Sequence, residues 1–199
     1  MRKLLIATRN KGKLLEIKRA LNGLPFEFLT LDCVKKIPKD FEAKETGKSF
    51  LENAVLKARI FGKMSGFLTV ADDSGLEVEA LDSRPGIYSS RYVKGTDEDR
   101  YRKLLKELES VSLVKMAAQF RCVVAIFDPE TKKLATCEGV CQGKIIDQPK
   151  GKYGFGYDPI FYFPELGQTM AQLKLEEKDK ISHRGKALKK AKKILKKFL

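Results

Sequence analysis

Two adjacent carboxylates, Asp72 and Asp73, follow directly on the apolar run 67–71 and precede Ser74-Gly75. Carboxylates next to a buried strand are costly unless a cation or hydrogen-bond donors meet them, and strand ends are where α/β sheets hold ligands. Successive side chains of a strand point to opposite faces. One of the pair, Asp73, is therefore assigned to a site, while Asp72 braces the loop or binds a metal through water. The competing reading is a turn rich in Asp, Ser and Gly with no ligand. Glu42 and Glu45 lie in the polar stretch 32–48. A carboxylate from there would complete a hard-cation site, since Mg²⁺ typically takes one or two carboxylates plus substrate phosphates. Solvated loop glutamates are the alternative.

Cations gather in a second place. Thr8-Arg9-Asn10-Lys11-Gly12-Lys13 sits where the apolar run 4–7 gives way to helical periodicity. A strand-to-helix turn exposes unpaired backbone N–H groups at the positive end of a helix dipole, which suits a polyphosphate as well as it suits a plain basic turn. The glycine spacing of a Walker A loop is absent. Lys57 falls at the edge of an apolar helical stripe, one turn after Asn53, and either snorkels or reaches a phosphate. Phe155-Gly156-Tyr157-Asp158 combines rings that can stack on a base with a carboxylate that can read its edge, or else is a core aromatic cluster. Ser182-His183-Arg184-Gly185 puts the single histidine and an arginine in a first helical turn, where cations oppose the dipole. A broken local rule points to a functional site, with an anionic or strongly polar ligand as the compensation. With Lys178, these donors suit a purine 6-oxo group, which inosine and xanthine offer and adenine does not. Guanine shares it, so its rejection must rest on the 2-amino group.

The elements that position these residues alternate. Residues 4–7 and 27–31 read as strands around a helix bearing Leu14, Ile17, Lys18 and Leu21. Ser49-Phe50-Leu51-Glu52 fits a capping box, opening a helix with the stripe Phe50, Leu51, Ala54, Val55, Ala58 and Phe61 and with Gly62 at its end. The run 67–71 is a strand ending in the paired aspartates, with 76–78 continuing the sheet. A third helix starts at Thr96 or Asp97 and runs through Leu108. Residues 120–127 and 134–142 flank a turn at Asp128-Pro129 as an antiparallel hairpin. A last helix, capped by Ser182, carries Leu188, Ala191, Ile194, Leu195 and Phe198 inward. Helices among single strands and a hairpin predict a mixed α/β sheet with helices packed on it.

The 199 residues, 43% hydrophobic and 33% charged, suit one globular domain over 1–199 without linkers or repeats. No apolar run approaches the ~18 residues of a membrane span, and the short stretch after Met1-Arg2-Lys3 is no signal peptide; the cytoplasm is expected. Cys33, Cys122, Cys137 and Cys141 follow no disulfide or zinc spacing and read as buried thiols of a reducing compartment. The net charge of +14 is concentrated: residues 178–199 hold ten Lys or Arg against one acid, Asp179. Such a run is a solvated helix face, or a surface for nucleic acid or small polyanions. A protein acting mainly as a nucleic-acid binder would show affinity falling steeply with salt and independent of Asp73.

Taken in order, six motifs resemble the non-canonical purine NTP pyrophosphatase, or inosine triphosphatase, family over nearly the whole chain. They are Thr8-Arg9-Asn10-Lys11-Gly12-Lys13, Glu45-Thr46-Gly47 with Glu52-Asn53-Ala54, Ala71-Asp72-Asp73-Ser74-Gly75-Leu76, Pro85-Gly86-Ile87-Tyr88-Ser89, Phe155-Gly156-Tyr157-Asp158-Pro159 and Ser182-His183-Arg184-Gly185. The resemblance implies an elongated, two-lobed mixed β-sheet flanked by helices, with a central nucleotide-binding cleft, in a homodimer. It implies cleavage of ITP, dITP and XTP to the monophosphate, cleansing the nucleotide pool. Nucleic acid is not expected as the main partner, nor a membrane. Thr8, Arg9, Asn10, Lys11, Gly12, Lys13 and Lys57 would hold the triphosphate. Glu45 and Asp73 would bind Mg²⁺, Asp73 also activating water, and Ser74 would contact substrate. Phe155, Gly156, Tyr157, Asp158, Lys178, His183 and Arg184 would form the base pocket. Arg9 stands where relatives often have a small residue, adding a phosphate contact or pointing to solvent. The nearest alternative is a related house-cleaning pyrophosphatase acting on modified pyrimidine or methylated nucleotides.

Overall fold

The computed structural model describes residues 1–112 and 116–199. Leu4, Leu5 and Ile6 have no exposed surface, because β1 (Arg2–Ile6) lies between two parallel neighbours, β2 (Phe26–Thr30) and β3 (Leu68–Val78), and parallel strands are covered on both faces. The sheet continues through β5 (Ala117–Phe127), β6 (Leu134–Ile145), β7 (Phe161–Phe163) and β8 (Gln168–Thr169), in the order β2-β1-β3-β5-β6-β7-β8, with β4 (Arg84–Pro85) antiparallel to β3. β7 pairs antiparallel with both β6 and β8. The expected hairpin of β5 and β6 is present. Asp128 N–H donates to Lys133 O at its turn, and Ile145 N–H donates to Met116 O at its open end. Parallel and antiparallel ladders in one sheet, with helices between strands, give the mixed α/β class that the pattern predicts.

The expectation that a strand ends at residue 71 needs correction. β3 runs unbroken to Val78. Its ladder with β1 stops at Val70, but its other neighbour, β5, is eleven residues long like β3 itself. The paired aspartates therefore lie just past the carboxyl end of β1 while remaining inside a strand.

The second and third helices start where the sequence places their caps, and the first has a cap that was not foreseen. Asn10 caps α1 (Lys11–Leu21), its side chain accepting from Lys13 N–H. Ser49 caps α2 (Phe50–Ser65) by accepting from Glu52 N–H. Thr96 and Asp99 close a full capping box on α3 (Asp97–Glu107). α2 does not end at Gly62. That glycine is buried, and a Cβ there would meet the Phe127 ring at 2.8 Å; the helix ends at Gly66, whose φ of 75° is the left-handed cap that glycine adopts without strain. The inward stripes also shift. Leu51 is exposed where Asn53 is buried, and Lys18 is exposed where Glu16 is buried, because both polar residues have buried partners described below. The last helix, α5 (His183–Leu195), starts directly after Ser182 as expected, but a further short helix not foreseen in the sequence, α4 (Leu175–Ile181), precedes it and ends at Ser182. All four thiols are free, but Cys33 is exposed rather than buried, in the turn after β2.

The chain divides into two compact units. The first comprises residues 1–73, 122–139 and 184–199; the second comprises 74–121 and 140–183. Three strands, β3, β5 and β6, pass from one into the other. Each unit has its own core. In the first, Leu4, Ile6, Ile17 and Val70 pack with Val124, Ile126, Leu188 and Leu195. In the second, Leu76, Val78 and Leu104 pack with Phe120, Ile160, Phe161 and Met170.

Candidate active site

In the first unit the two aspartates enter different networks. Asp72, 2% exposed, takes Arg184 Nε on Oδ2 at 3.2 Å and Lys13 Nζ on the same oxygen at 3.2 Å. Arg184 Nη1 donates to Glu16 Oε2 at 2.7 Å, so the guanidinium is clasped by two buried acids. This is what offsets a cation at the start of α5: the compensation expected from a ligand is supplied by the chain itself. Asp73, 5% exposed, accepts from Asn53 Nδ2 at 3.1 Å and faces Lys57 Nζ at 3.6 Å. Lys57 in turn holds Glu45 Oε1 at 2.6 Å. α2 supplies both Asn53 and Lys57, one turn apart on the same side, and Asn53 Oδ1 accepts Gly47 N–H at 2.8 Å, tying the Glu45 loop to the helix.

These partners drive the neighbouring acids apart. Burial pushes the Asp72 carboxyl up, but Lys13, Arg184 and Lys57 outweigh it and hold it well below the ordinary carboxylate range. For Asp73 burial prevails over Lys57 and Lys13, and its pKa is raised. Burial acts to lower the Lys57 ammonium, yet Asp73, Asp72 and Glu45 raise it overall. The two adjacent acids thus differ in how firmly their surroundings hold each one ionised.

The donor set suits a hard divalent cation. Glu45 and Asp73 converge on a single ammonium from two separate parts of the chain, presenting oxygen ligands only. Two carboxylates are what a hard cation such as Mg²⁺ typically takes from protein, with substrate phosphates and water as its other ligands.

Around α1 the predicted phosphate residues are ordered by local bonds. Asn10 N–H donates to Thr8 Oγ1 at 3.2 Å, and Lys13 N–H donates to Asn10 Oδ1 at 3.0 Å. Lys11 and Gly12 open the helix, Lys11 exposed. Arg9 is turned to Asp32 Oδ1 at 2.6 Å and to Pro38 O at 2.9 Å.

The second unit assembles its own cluster. Lys178, buried, donates to Asp158 Oδ2 at 2.6 Å and lies over the Phe155 ring, 4.7 Å from its centroid. Phe155 N–H donates to the same Asp158 oxygen. Gly154, at φ 78°, lies so close that a Cβ would meet Asp158 Oδ2 at 2.0 Å. Gly156 N–H donates to Asp97 Oδ2 at 2.7 Å, and Tyr157 hydroxyl donates to Ser89 O at 2.9 Å. Ser89 Oγ in turn accepts Leu76 N–H, so the Pro85–Ser89 segment is tied both to the aromatic loop and to β3. His183 stacks on Phe120 at 4.6 Å and meets Cys141 Sγ through Nδ1 at 3.8 Å. Ser74 is half-buried in this unit.

The structure thus joins Lys13, Lys57, Glu45, Asp73 and Arg184 in one unit, and Phe155, Asp158 and Lys178 in the other. Sequence reasoning missed Glu16 and Asp97 as members of these networks. The signal for Glu16 was faint, an acid beside an apolar stripe whose partner lies 168 positions away.

Comparison with known proteins places the chain. The Ham1 family profile matches residues 4–194, and the chain belongs to that family. It is 49% identical to the dITP/XTP pyrophosphatase of Geobacter sulfurreducens over 190 residues, 94% of each chain. It is 45% identical to the dITP/XTP pyrophosphatase of Desulforamulus reducens over 97% of this chain and 95% of that one. The HAM1 protein of Coxiella burnetii superposes with a TM-score of 0.88 at 41% identity, covering 99% of this chain and 100% of that chain.

Proposed function

We infer that this chain is a nucleoside triphosphate pyrophosphatase that cleaves purine nucleotides with faulty bases, ITP, dITP and XTP among them, to the monophosphate and pyrophosphate. The names of its relatives support the activity. The observation that carries the chemistry is geometric: Asp72 is held by Lys13 and Arg184, whereas Asp73 meets Asn53 and, with Glu45, converges on Lys57.

Asp73 acts as general base; a divalent cation on the same carboxylate would lower its pKa and keep it ionised, ready to accept a proton at neutral pH. The carboxylate takes a proton from water as the water oxygen bonds to the α-phosphorus. The bond from that phosphorus to the bridging oxygen of the β-phosphate breaks, and pyrophosphate leaves with no covalent intermediate on the enzyme. Thr8, Arg9, Asn10, Lys11, Gly12 and Lys13, with Lys57, hold the triphosphate, their charge and N–H groups meeting the phosphate oxygens. Mg²⁺ held by Glu45 and Asp73 would offset phosphate charge and polarise the phosphoryl oxygens. Ser74 contacts substrate. Phe155 stacks on the base, its ring braced by Lys178, while Gly156, Tyr157, Asp158 and His183 complete the base pocket, and Arg184 acts from the first unit by holding Asp72. The reading extends to a cytoplasmic homodimer, with the whole chain as one catalytic domain.

Pyrophosphate release from ITP, XTP, GTP and dTTP, with and without EDTA, tests this. ITP and XTP should be cleaved in preference to GTP and dTTP, and EDTA should abolish cleavage. Asp73→Asn should lower kcat/KM by about 10²–10⁴-fold. A preference for dTTP would favour the modified-pyrimidine alternative. Near-normal ITP cleavage by Asp73→Asn would remove that residue from the chemistry.

A further inference from the structure

The chemistry above uses α5 only at its first turn. Beyond Arg184 the helix is two-sided. Ala187, Leu188, Ala191 and Leu195 are buried in the first core, and the exposed residues of the helix are Lys186, Lys189, Lys190 and Lys193. At 100° and 1.5 Å per residue, those four fall within an arc of about 100° along about 10 Å of axis. Lys196 and Lys197, also exposed, follow in the terminal turn. No acid occurs from residue 180 to residue 199. The face is held rigidly: Lys190 Nζ donates to Glu138 O at 2.7 Å, and Lys192 Nζ donates to Asn22 O at 2.5 Å. The second bond joins α5 to the end of α1, where Lys18 and Arg19 add two exposed cations.

We propose that this face docks the sugar–phosphate backbone of a nucleic acid without reading its sequence, as an activity separate from nucleotide cleavage. Three features select that partner. Lysine ammoniums are point charges suited to phosphate, and α5 exposes no arginine fork for bidentate base contacts. The exposed side of α5 is all lysine, so no aromatic ring is available there to stack on bases. Its apolar side is buried, leaving nothing to enter lipid as an interfacial amphipathic helix does.

The test is fluorescence anisotropy of the full chain with a mixed-sequence 20-bp DNA duplex and a 20-nucleotide single-stranded RNA, from 50 to 200 mM salt, with phosphatidylserine vesicles as competitor. Four to five neutralised phosphates give a log–log salt slope of about −4 on duplex DNA and a shallower one on a single strand. Replacing Lys186, Lys189, Lys190 and Lys193 by Gln should weaken binding at least ~10-fold at 100 mM salt and reduce the slope by about 3. A control replacing Lys35, Lys63, Lys94 and Lys106 by Gln loses the same charge elsewhere and should bind within about twofold of wild type. Both variants should retain ITP turnover. Equal losses in the two variants would reduce the effect to net charge and overturn the proposal. So would an α5 variant that binds normally, a wild type that does not bind at 50 mM salt, or vesicles that strip the protein from duplex DNA.

Discussion

Asp72 and Asp73 are nearly equally buried, yet they hold protons differently because of what faces them. Asp72 meets two cations at 3.2 Å, whereas Asp73 meets one at 3.6 Å and an amide. A carboxyl whose folded pKa exceeds its unfolded value is penalised by folding wherever it is ionised. The penalty is full above the folded pKa and vanishes below the unfolded one, ~3.9. In metal-free protein Asp73→Asn should therefore raise Tm at pH 7, by about 2–4 °C per kcal/mol of relief, even as turnover collapses. The gain should fade as pH drops toward 3.5. Calorimetry of both proteins at pH 7, 5 and 3.5 checks it, and a variant less stable than wild type at pH 7 would show that Lys57 outweighs burial. At this scale the paired acids, the basic turn and the aromatic hinge were legible as residue types. The sequence did not disclose their partners, since Glu16 finds Arg184 and Asn53 finds Asp73 only through folding.

Individual elements were legible where a short-range rule governs them. Ser49 and Thr96, read as helix starts, are side chains that can satisfy a helix's first N–H groups, and both do so. Ser49→Ala should accordingly cost about 1 kcal/mol, read as a shift in urea midpoint, and by loosening the start of α2 should raise KM for ITP through Asn53 and Lys57. An unchanged midpoint would mean that Glu52, whose carboxylate accepts Lys48 N–H at 2.7 Å, caps the helix unaided. The errors fell where distant packing decides. β3 passes through Asp-Asp-Ser-Gly, a turn-like sequence, because neighbouring strands keep it extended. α2 passes through Gly62 because that position has room only for hydrogen beside Phe127. The start of α5 after Ser182 was legible, whereas α4, only seven residues long, is too short to show a helical period of its own.

Across the whole molecule the chain is woven rather than sequential: the first unit draws on three separated segments and the second on two. The six motifs of the family are likewise scattered across both units, so the resemblance over the full length was more informative than any one of them. Deleting residues 184–199 should remove Ala187, Leu188, Ala191 and Leu195 from the first core. Each leucine is worth about 1.5–3 kcal/mol of burial, and Glu16 and Asp72 would lose Arg184, a loss of about 3–5 kcal/mol. Together these approach a typical total stability of about 5–15 kcal/mol. Hydrogen exchange on the truncated protein should find β1 and β2 unprotected; native protection there would refute the dependence.

The clasp of Arg184 between Glu16 and Asp72 also bears on synthesis. Glu16 leaves the ribosome early, but its counter-charge is encoded 168 positions later. Until that codon has been read and its product has cleared the exit tunnel, two acids destined for burial have no guanidinium to neutralise them. A nascent chain cannot assemble a working hydrolytic centre while still being translated through its middle, and one released prematurely would reach quality-control proteases without it.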